Sequence, residues 1–372
     1  MFGSPPGKTF KNRGMDFTSQ LIRWYNRNKR DLPWRKTGDP YLVWVSEIIL
    51  QQTQVEQGLD YYNRFIARYK DVVALSRASE DDILKLWQGL GYYTRARNML
   101  ATAREIMEKY GGRFPETCHE LISLKGIGEY TAAAILSFCF NKAYAVVDGN
   151  VMRILARYMG IDTPVNTAKG KKEIGEIAAR MIPSDRPGLF NQAVMEFGAR
   201  QCIPRRPLCR QCIVHDRCRA YLEDRVHSLP VRKSKAPLKN RYFNYLVFRV
   251  TGDEPLILLR KRTSDDIWKN LYDFPLVEAE QLMGARKRPD NAILNTFIKT
   301  EGIRVTMAAV SPVYNHVLSH RHIQARFFIL QVDKMPLLKA GDLQFIATGK
   351  LAGYPVPKLI ETFMAEYRTF FI

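Results

Sequence analysis

The sequence predicts two domains of different class, an all-α domain followed by a smaller α+β domain. Three observations carry that expectation. At 372 residues the chain is longer than one hydrophobic core usually organises. From Asp16 to about Ala220 apolar residues recur at helical spacing, with no strand-like run between them. After the basic, proline-bearing stretch Leu229 to Arg241 the apolar period falls to two. The expected layout is a flexible Gly/Pro/Lys-rich tail over 1–15, a helical domain over 16–228, a linker over 229–241 and an α+β domain over 242–372.

In chain order, Phe17, Leu21, Ile22, Trp24 and Tyr25 make the first apolar stripe. Tyr41 to Gln52 is the second helix and Val55 to Tyr69 the third. Ser79 caps a fourth, with Asp82 closing a capping box. Tyr92 to Tyr110 is a fifth. Leu121 to Leu124 is a short helix, Gly126-Ile127-Gly128 a tight turn and Thr131 to Phe140 an apolar helix. Val151 to Met159, Ala168 to Met181 and Gly188 to Gln201 follow. Beyond the linker, Tyr242 to Val250, Leu256 to Arg260, Arg304 to Val310 and Ile323 to Leu330 read as strands. Helices near Asp290 to Thr300 and Pro357 to Phe371 complete the second domain.

The formal net charge of +20 calls for a polyanionic partner, most commonly nucleic acid. Anionic membrane is the competitor, but no apolar run approaches the roughly 20 residues that span a bilayer. The first residues lack the apolar core of a signal peptide. An intracellular monomer with no membrane partner is expected, in the cytoplasm or nucleoid if the source is bacterial. Four of the six cysteines cluster, and in a reducing compartment such clusters hold metal rather than disulfides.

The stretch from Leu121 to Asn150 organises the functional reading. A helix, a Gly126-x-Gly128 turn and a second helix present backbone N–H groups at a helix N-terminus, a seat for phosphate. The glycines accept the positive φ of a sharp turn. Asp148-Gly149-Asn150 then opens the next helix. Singly, the turn is ordinary and Asp148 is an ordinary N-cap. Together they resemble the helix-hairpin-helix DNA glycosylases, in which a phosphate clamp precedes a catalytic aspartate.

Cys202, Cys209, Cys212 and Cys218 are spaced C-x6-C-x2-C-x5-C, with one C-x2-C pair where structural zinc sites usually show two. The residues alone leave Zn²⁺ and a cubane cluster open. The spacing is similar to the iron–sulfur loop of endonuclease-III-like glycosylases, which implies a structural [4Fe-4S] cluster. Nearby arginines, Arg205, Arg206 and Arg210 among them, can offset the thiolates and reach DNA phosphates. Cys118 and Cys139 read as small buried hydrophobes.

One acid, Glu47, sits in an apolar helix beside Val43, Trp44, Val45, Ile48 and Ile49. Unless it faces solvent or meets an arginine, burial makes it keep its proton. The block from LPWR to SEIILQQTQV (Leu32 to Val55), GLGYYTRARN (Gly89 to Asn98) and VDGNV-x-R around Asp148 resemble adenine DNA glycosylases of the MutY family. The resemblance covers nearly all of residues 16–228. It implies that Glu47 protonates N7 of adenine and later activates water, while Asp148 offsets the sugar cation. Tyr130 and Asn150 match residues that hydrogen-bond around this aspartate. Leu32, Trp34, Arg35 and Gln192 match the pocket around the flipped base. Gln52 and Thr53 match residues that enter the duplex, and Tyr92 the wedge beside the opposing base. Gly126 and Gly128 would hold phosphate. Bifunctional relatives carry a lysine where this chain has Tyr130, which forms no Schiff base. A monofunctional enzyme is therefore expected.

Trp268 to Pro275, WKNLYDFP, resembles a stretch of the family's 8-oxoguanine-sensing domain, which has a Nudix-like fold. No Glu-rich metal helix follows Pro275, so hydrolysis of nucleoside diphosphates is not expected. Val317-Leu318-Ser319-His320 aligns with the family's Phe-Ser-His loop, with Leu318 in place of the Phe. Ser319 and His320 keep the hydrogen-bonding groups. The expected substrate is double-stranded DNA carrying adenine opposite 8-oxoguanine, or opposite guanine. A thymine-mismatch glycosylase of the same superfamily and a non-catalytic iron–sulfur DNA-binding protein are the alternatives.

Overall fold

The computed structural model describes residues 6–234, 237–286 and 288–371. Twelve α-helices run before the first strand among them: α1 Pro6–Asn28, α2 Pro40–Leu50, α3 Val55–Arg68, α4 Val72–Ser76, α5 Glu80–Leu86, α6 Thr94–Tyr110, α7 Cys118–Ser123, α8 Glu129–Cys139, α9 Gly149–Met159, α10 Ala168–Met181, α11 Pro187–Arg200 and α12 Arg219–Leu222. Then come β1 Lys239–Val250, β2 Leu256–Lys261, β3 Tyr272–Asp273, β4 Leu276–Ala279, α13 Asn291–Leu294, β5 Val305–Val310, β6 Tyr314–Val317, β7 Arg321–Val332, β8 Leu343–Ala347 and α14 Lys358–Glu366. The chain divides into two compact units, Met1–Arg77 with Ala101–Ser234, and Ala78–Leu100 with Lys235–Ile372.

In the first unit, side-chain caps fix where helices start. Asp39 accepts from the Tyr41 N–H, Thr117 from Glu120 and Thr167 from Gly170, each such cap contributing about 1 kcal/mol. Helices α2 and α8 pack on each other. Both are apolar on nearly every face, as fully enclosed helices are, and α2 is buried at every position from Val43 to Ile49, Glu47 included. A second core joins α1, α9, α10 and α11 through Phe17, Leu21, Ile154, Ile177 and Phe197.

In the second unit, β1 and β7 pair in parallel, from Lys239 opposite Arg321 to Val250 opposite Val332. The other pairings are antiparallel, and the main path runs β3-β2-β1-β7-β5. Alternate residues of β1 enter two cores. Phe243, Tyr245 and Val247 face α14, where Phe363 stacks on Phe327 with ring centroids 3.8 Å apart. Leu246, Phe248 and Val250 face Leu294 and Ile298. Burial on both faces makes β1 continuously apolar from Tyr245 to Phe248, while the buried Asn244 before it donates to the Val277 carbonyl and accepts from the Met283 N–H.

Four expectations change. Helix α1 starts at Pro6 rather than at Asp16, inside the expected tail, because proline at the first helical position forfeits no hydrogen bond. Residues 1–5 of that tail lie outside the described residues. The linker is shorter than 229–241: Val231 O accepts from Val165 N (3.0 Å) and Lys233 N donates to Asn166 (2.8 Å), while Lys239 already pairs in β1. Residues 78–100 belong with the second unit and not with the helical one. There Lys261 contacts Asp81 in the acidic first turn of α5 at 2.9 Å, and past the end of that helix Gln88 donates to Glu361 of α14 at 3.0 Å. The helix expected from Asp290 to Thr300 is a single turn, because Asn295 Oδ1 accepts the Thr300 N–H at 3.1 Å and closes it.

Candidate active site

The first unit contains a cavity of about 170 Å³. Glu47 reaches it from α2, Asp148 and Asn150 from the start of α9, Tyr130 from α8 and Gln192 from α11; Leu32, Trp34, Arg35 and Thr53 complete the expected set. Gly198 allows α11 to approach this closely, since a Cβ there would stand 2.6 Å from the Asn150 Cβ.

Glu47 is 5% exposed, and the Tyr130 hydroxyl donates to its Oε2 at 2.6 Å. Burial pushes its carboxyl up to about 7; the Tyr130 hydrogen bond opposes this, the Asp148 charge adds to it and Arg35 opposes it. Asp148 caps α9. Its Oδ1 accepts from the Val151 N–H at 2.7 Å and its Oδ2 from the Asn150 amide at 2.8 Å. Burial raises its carboxyl too, while these two donors and Arg153 hold it back. Asp148 is thus both the N-cap of α9 and part of the cavity wall. Trp34 packs edge-on against Tyr62, with ring centroids 5.0 Å apart, and also lines the cavity. Gln192 is set by the Tyr25 hydroxyl, which donates to its Oε1 at 2.6 Å.

Of the hairpin glycines only Gly126 has a positive φ, of 82°. Gly128 is extended, caps α8 and has nothing within 4 Å of where a Cβ would be, so a large group can approach the backbone. Gln52 does not line the cavity. It is exposed and sits in the left-handed region at φ 58°, a conformation that costs a non-glycine residue about 1 kcal/mol or more.

Tyr92, Ser319 and His320, expected at the opposing base, lie in the second unit. Tyr92 is 49% exposed with φ 50°, and its hydroxyl stands 2.7 Å from the Ser319 Oγ. Ser319 and His320 are exposed in the turn between β6 and β7, and Leu318 packs against the sheet core.

Cys202, Cys209, Cys212 and Cys218 line one small cavity of about 30 Å³, and none forms a disulfide. Among the described residues no three His, Cys, Asp or Glu side chains converge tightly enough for a single ion. Four thiols lining one space form an all-sulfur donor set of the kind that holds zinc or an iron–sulfur cluster. Two arginines of α9 tie this loop to the site: Arg157 donates to Cys202 Sγ (3.5 Å) and the Ile203 carbonyl (2.9 Å), while Arg153 bridges the Cys202 carbonyl and Asn150, each at 2.8 Å.

Arg30 and Glu196 also line the cavity and were not expected there. Glu196 carries the same signal that marked Glu47, an acid alone in the apolar stretch FNQAVMEFGA. Among the described residues no helix is long and apolar enough to cross a membrane.

Residues 45–183 match the model of the HhH-GPD superfamily base excision DNA repair proteins, and residues 245–366 match that of the NUDIX domain. An adenine DNA glycosylase of Buchnera aphidicola is 38% identical over 260 residues, covering 70% of this chain and 73% of that protein. The mouse adenine DNA glycosylase is 33% identical, covering 86% and 71%. Among solved structures a thermostable thymine-DNA glycosylase superposes with a TM-score of 0.53 at 32% identity, covering 57% of this chain and 98% of that one. The chain therefore belongs to the adenine DNA glycosylase family, with a helix-hairpin-helix base-excision region and a NUDIX-type domain.

Proposed function

We propose that the protein is a monofunctional adenine DNA glycosylase that removes adenine mispaired with 8-oxoguanine or guanine. The observation that carries this reading is the pair of buried carboxylates on one cavity: burial raises both, Glu47 to about 7, while hydrogen bonds from Val151 and Asn150 restrain the rise at Asp148. An N-glycosidic bond breaks when the base is protonated and the sugar cation is offset, and two acids in unlike surroundings divide that work.

The flipped adenine enters between Leu32, Trp34, Arg35 and Gln192. Glu47 gives its proton to N7, the C1′–N9 bond breaks, and its electron pair leaves with the base. Asp148, ionised, offsets the oxocarbenium charge. Water then attacks C1′ and yields its proton to Glu47, now a carboxylate, restoring the acid. Tyr130 and Asn150 keep the two carboxylates in place. Tyr130 offers no amine, so strand cleavage through a Schiff base does not follow. Gly126 and Gly128 seat a DNA phosphate, Gln52 and Thr53 fill the stack, Tyr92 wedges at the opposing base, and Ser319 with His320 reads it.

The four cysteines would hold a [4Fe-4S] cluster, which braces the loop that Arg153 and Arg157 grip. A thymine-mismatch glycosylase is the second reading, favoured by the thymine-DNA glycosylase superposition. This chain matches 98% of that solved chain with only 57% of its own length, so much of this chain, the NUDIX-type match over 245–366 weighing most, has no counterpart in it. Single-turnover assays on A:8-oxoguanine, A:G and T:G duplexes decide. Adenine release from the first two supports the proposal, thymine release alone favours the second reading, and no release leaves a DNA-binding protein.

A further inference from the structure

The cavity holds another buried carboxylate that the base-excision steps do not use. The Glu196 side chain is fully enclosed. It accepts from the Arg30 N–H at 3.0 Å, from Arg30 Nε and Nη2 at 2.9 Å each, and from Arg35 Nη2 at 2.7 Å. Arg35 also donates from Nη1 to the Arg30 carbonyl at 3.2 Å, and its guanidinium lies over the Tyr25 ring, 5.6 Å from the centroid. The arginine is thus gripped by Glu196 and the Arg30 carbonyl and stacked on Tyr25, and it lines the cavity with N–H groups to spare.

Resting on the functional reading above, we infer that Glu196 is a positioning residue that aims Arg35 at the flipped base and balances its charge beside Glu47. An arginine with its outer N–H groups tied down presents the others in a fixed direction, and a base with acceptor nitrogens at its edge satisfies them. The charge matters as much as the direction. Glu47 faces Tyr130 and Cys139 of α8, Asp148 at the head of α9, and Arg35. Of these Arg35 is the cation, and alone it favours the ionised form of Glu47, which cannot protonate a base. Glu196 stays ionised because two guanidiniums bind it, and it cancels part of that pull. Arg30 in turn tempers Glu196.

The test is single-turnover adenine excision from an A:8-oxoguanine duplex across the pH range in which Glu47 titrates. Wild type, Glu196→Gln, Glu196→Asp and Arg30→Gln are compared, with duplex affinity measured on each. Glu196→Gln is expected to lower the rate about tenfold or more with affinity held within about twofold, and to move the alkaline limb down by about half a pH unit or more. Glu196→Asp keeps the limb at its wild-type position. Arg30→Gln, which leaves Glu196 more strongly negative towards Arg35, moves the limb up. An unmoved limb in folded Glu196→Gln overturns the inference, whatever its rate. If that variant does not fold, an Arg30→Gln limb that stays or moves down overturns it. Wild-type protein that releases no adenine defeats the functional reading itself, a result distinct from either.

Discussion

Glu47 on α2 and Glu196 on α11 stand on two walls of one cavity, each a lone acid in an apolar helix, and burial has opposite outcomes for them. Burial raises both carboxyls. At Glu47 the hydrogen-bond partner is a neutral hydroxyl, so burial prevails and the acid sits at about 7. At Glu196 two guanidiniums outweigh burial and bring it down to about 2. The difference teaches how to tell a buried acid that keeps its proton from one that stays ionised: the type of donor that meets it decides, and burial does not.

The widest departure from the comparison comes from the third acid. Asp148→Asn keeps an N-cap and removes a buried charge whose carboxyl burial raises, so stability near neutral pH should not fall below wild type by more than about 0.5 kcal/mol. Excision should fall about 10²–10³-fold, as read by single-turnover release, because the charge opposite the sugar is gone. Glu196→Ala leaves two arginines without their acid and should cost about 2–4 kcal/mol in urea unfolding, below the figure for a fully buried pair because Arg30 is 27% exposed. Glu47→Gln should act in the other direction. Its folded carboxyl titrates above the unfolded one, so the native state binds more protons and loses stability as pH rises from about 4.5 to about 7. Thermal unfolding should find Glu47→Gln more stable than wild type by about 1–3 kcal/mol above that window and equal to it below. Leu318→Phe should change the preference for A:8-oxoguanine over A:G by only a few-fold, about 1 kcal/mol, since Leu318 packs on the sheet core while Ser319 and His320 remain exposed.

Most helices were legible because capping residues and apolar spacing are local signals. Ala168–Met181 was expected to the residue. Glu47 was legible as a lone acid, Asp148 as a cap at a family motif and the cysteines by spacing. Glu196 carried the first of those signals, but the distinction from Glu47 lies in Arg30 and Arg35, more than 160 positions away in sequence. Nor does sequence spacing show that Ala78–Leu100 packs with a sheet formed mostly after Lys239, since that association is made of long-range pairs such as Lys261 with Asp81. The positive φ at Gln52 and Tyr92 was equally hidden, as neither residue type announces a left-handed backbone.

The central claim is that the acid on α2 is protonated when the base arrives and that its proton breaks the bond. Single-turnover adenine release by Glu47→Gln, beside duplex affinity on the same preparation, tests it most directly. A rate lower by about 10²–10⁴-fold with wild-type affinity is the predicted result. Release at the wild-type rate would contradict the account.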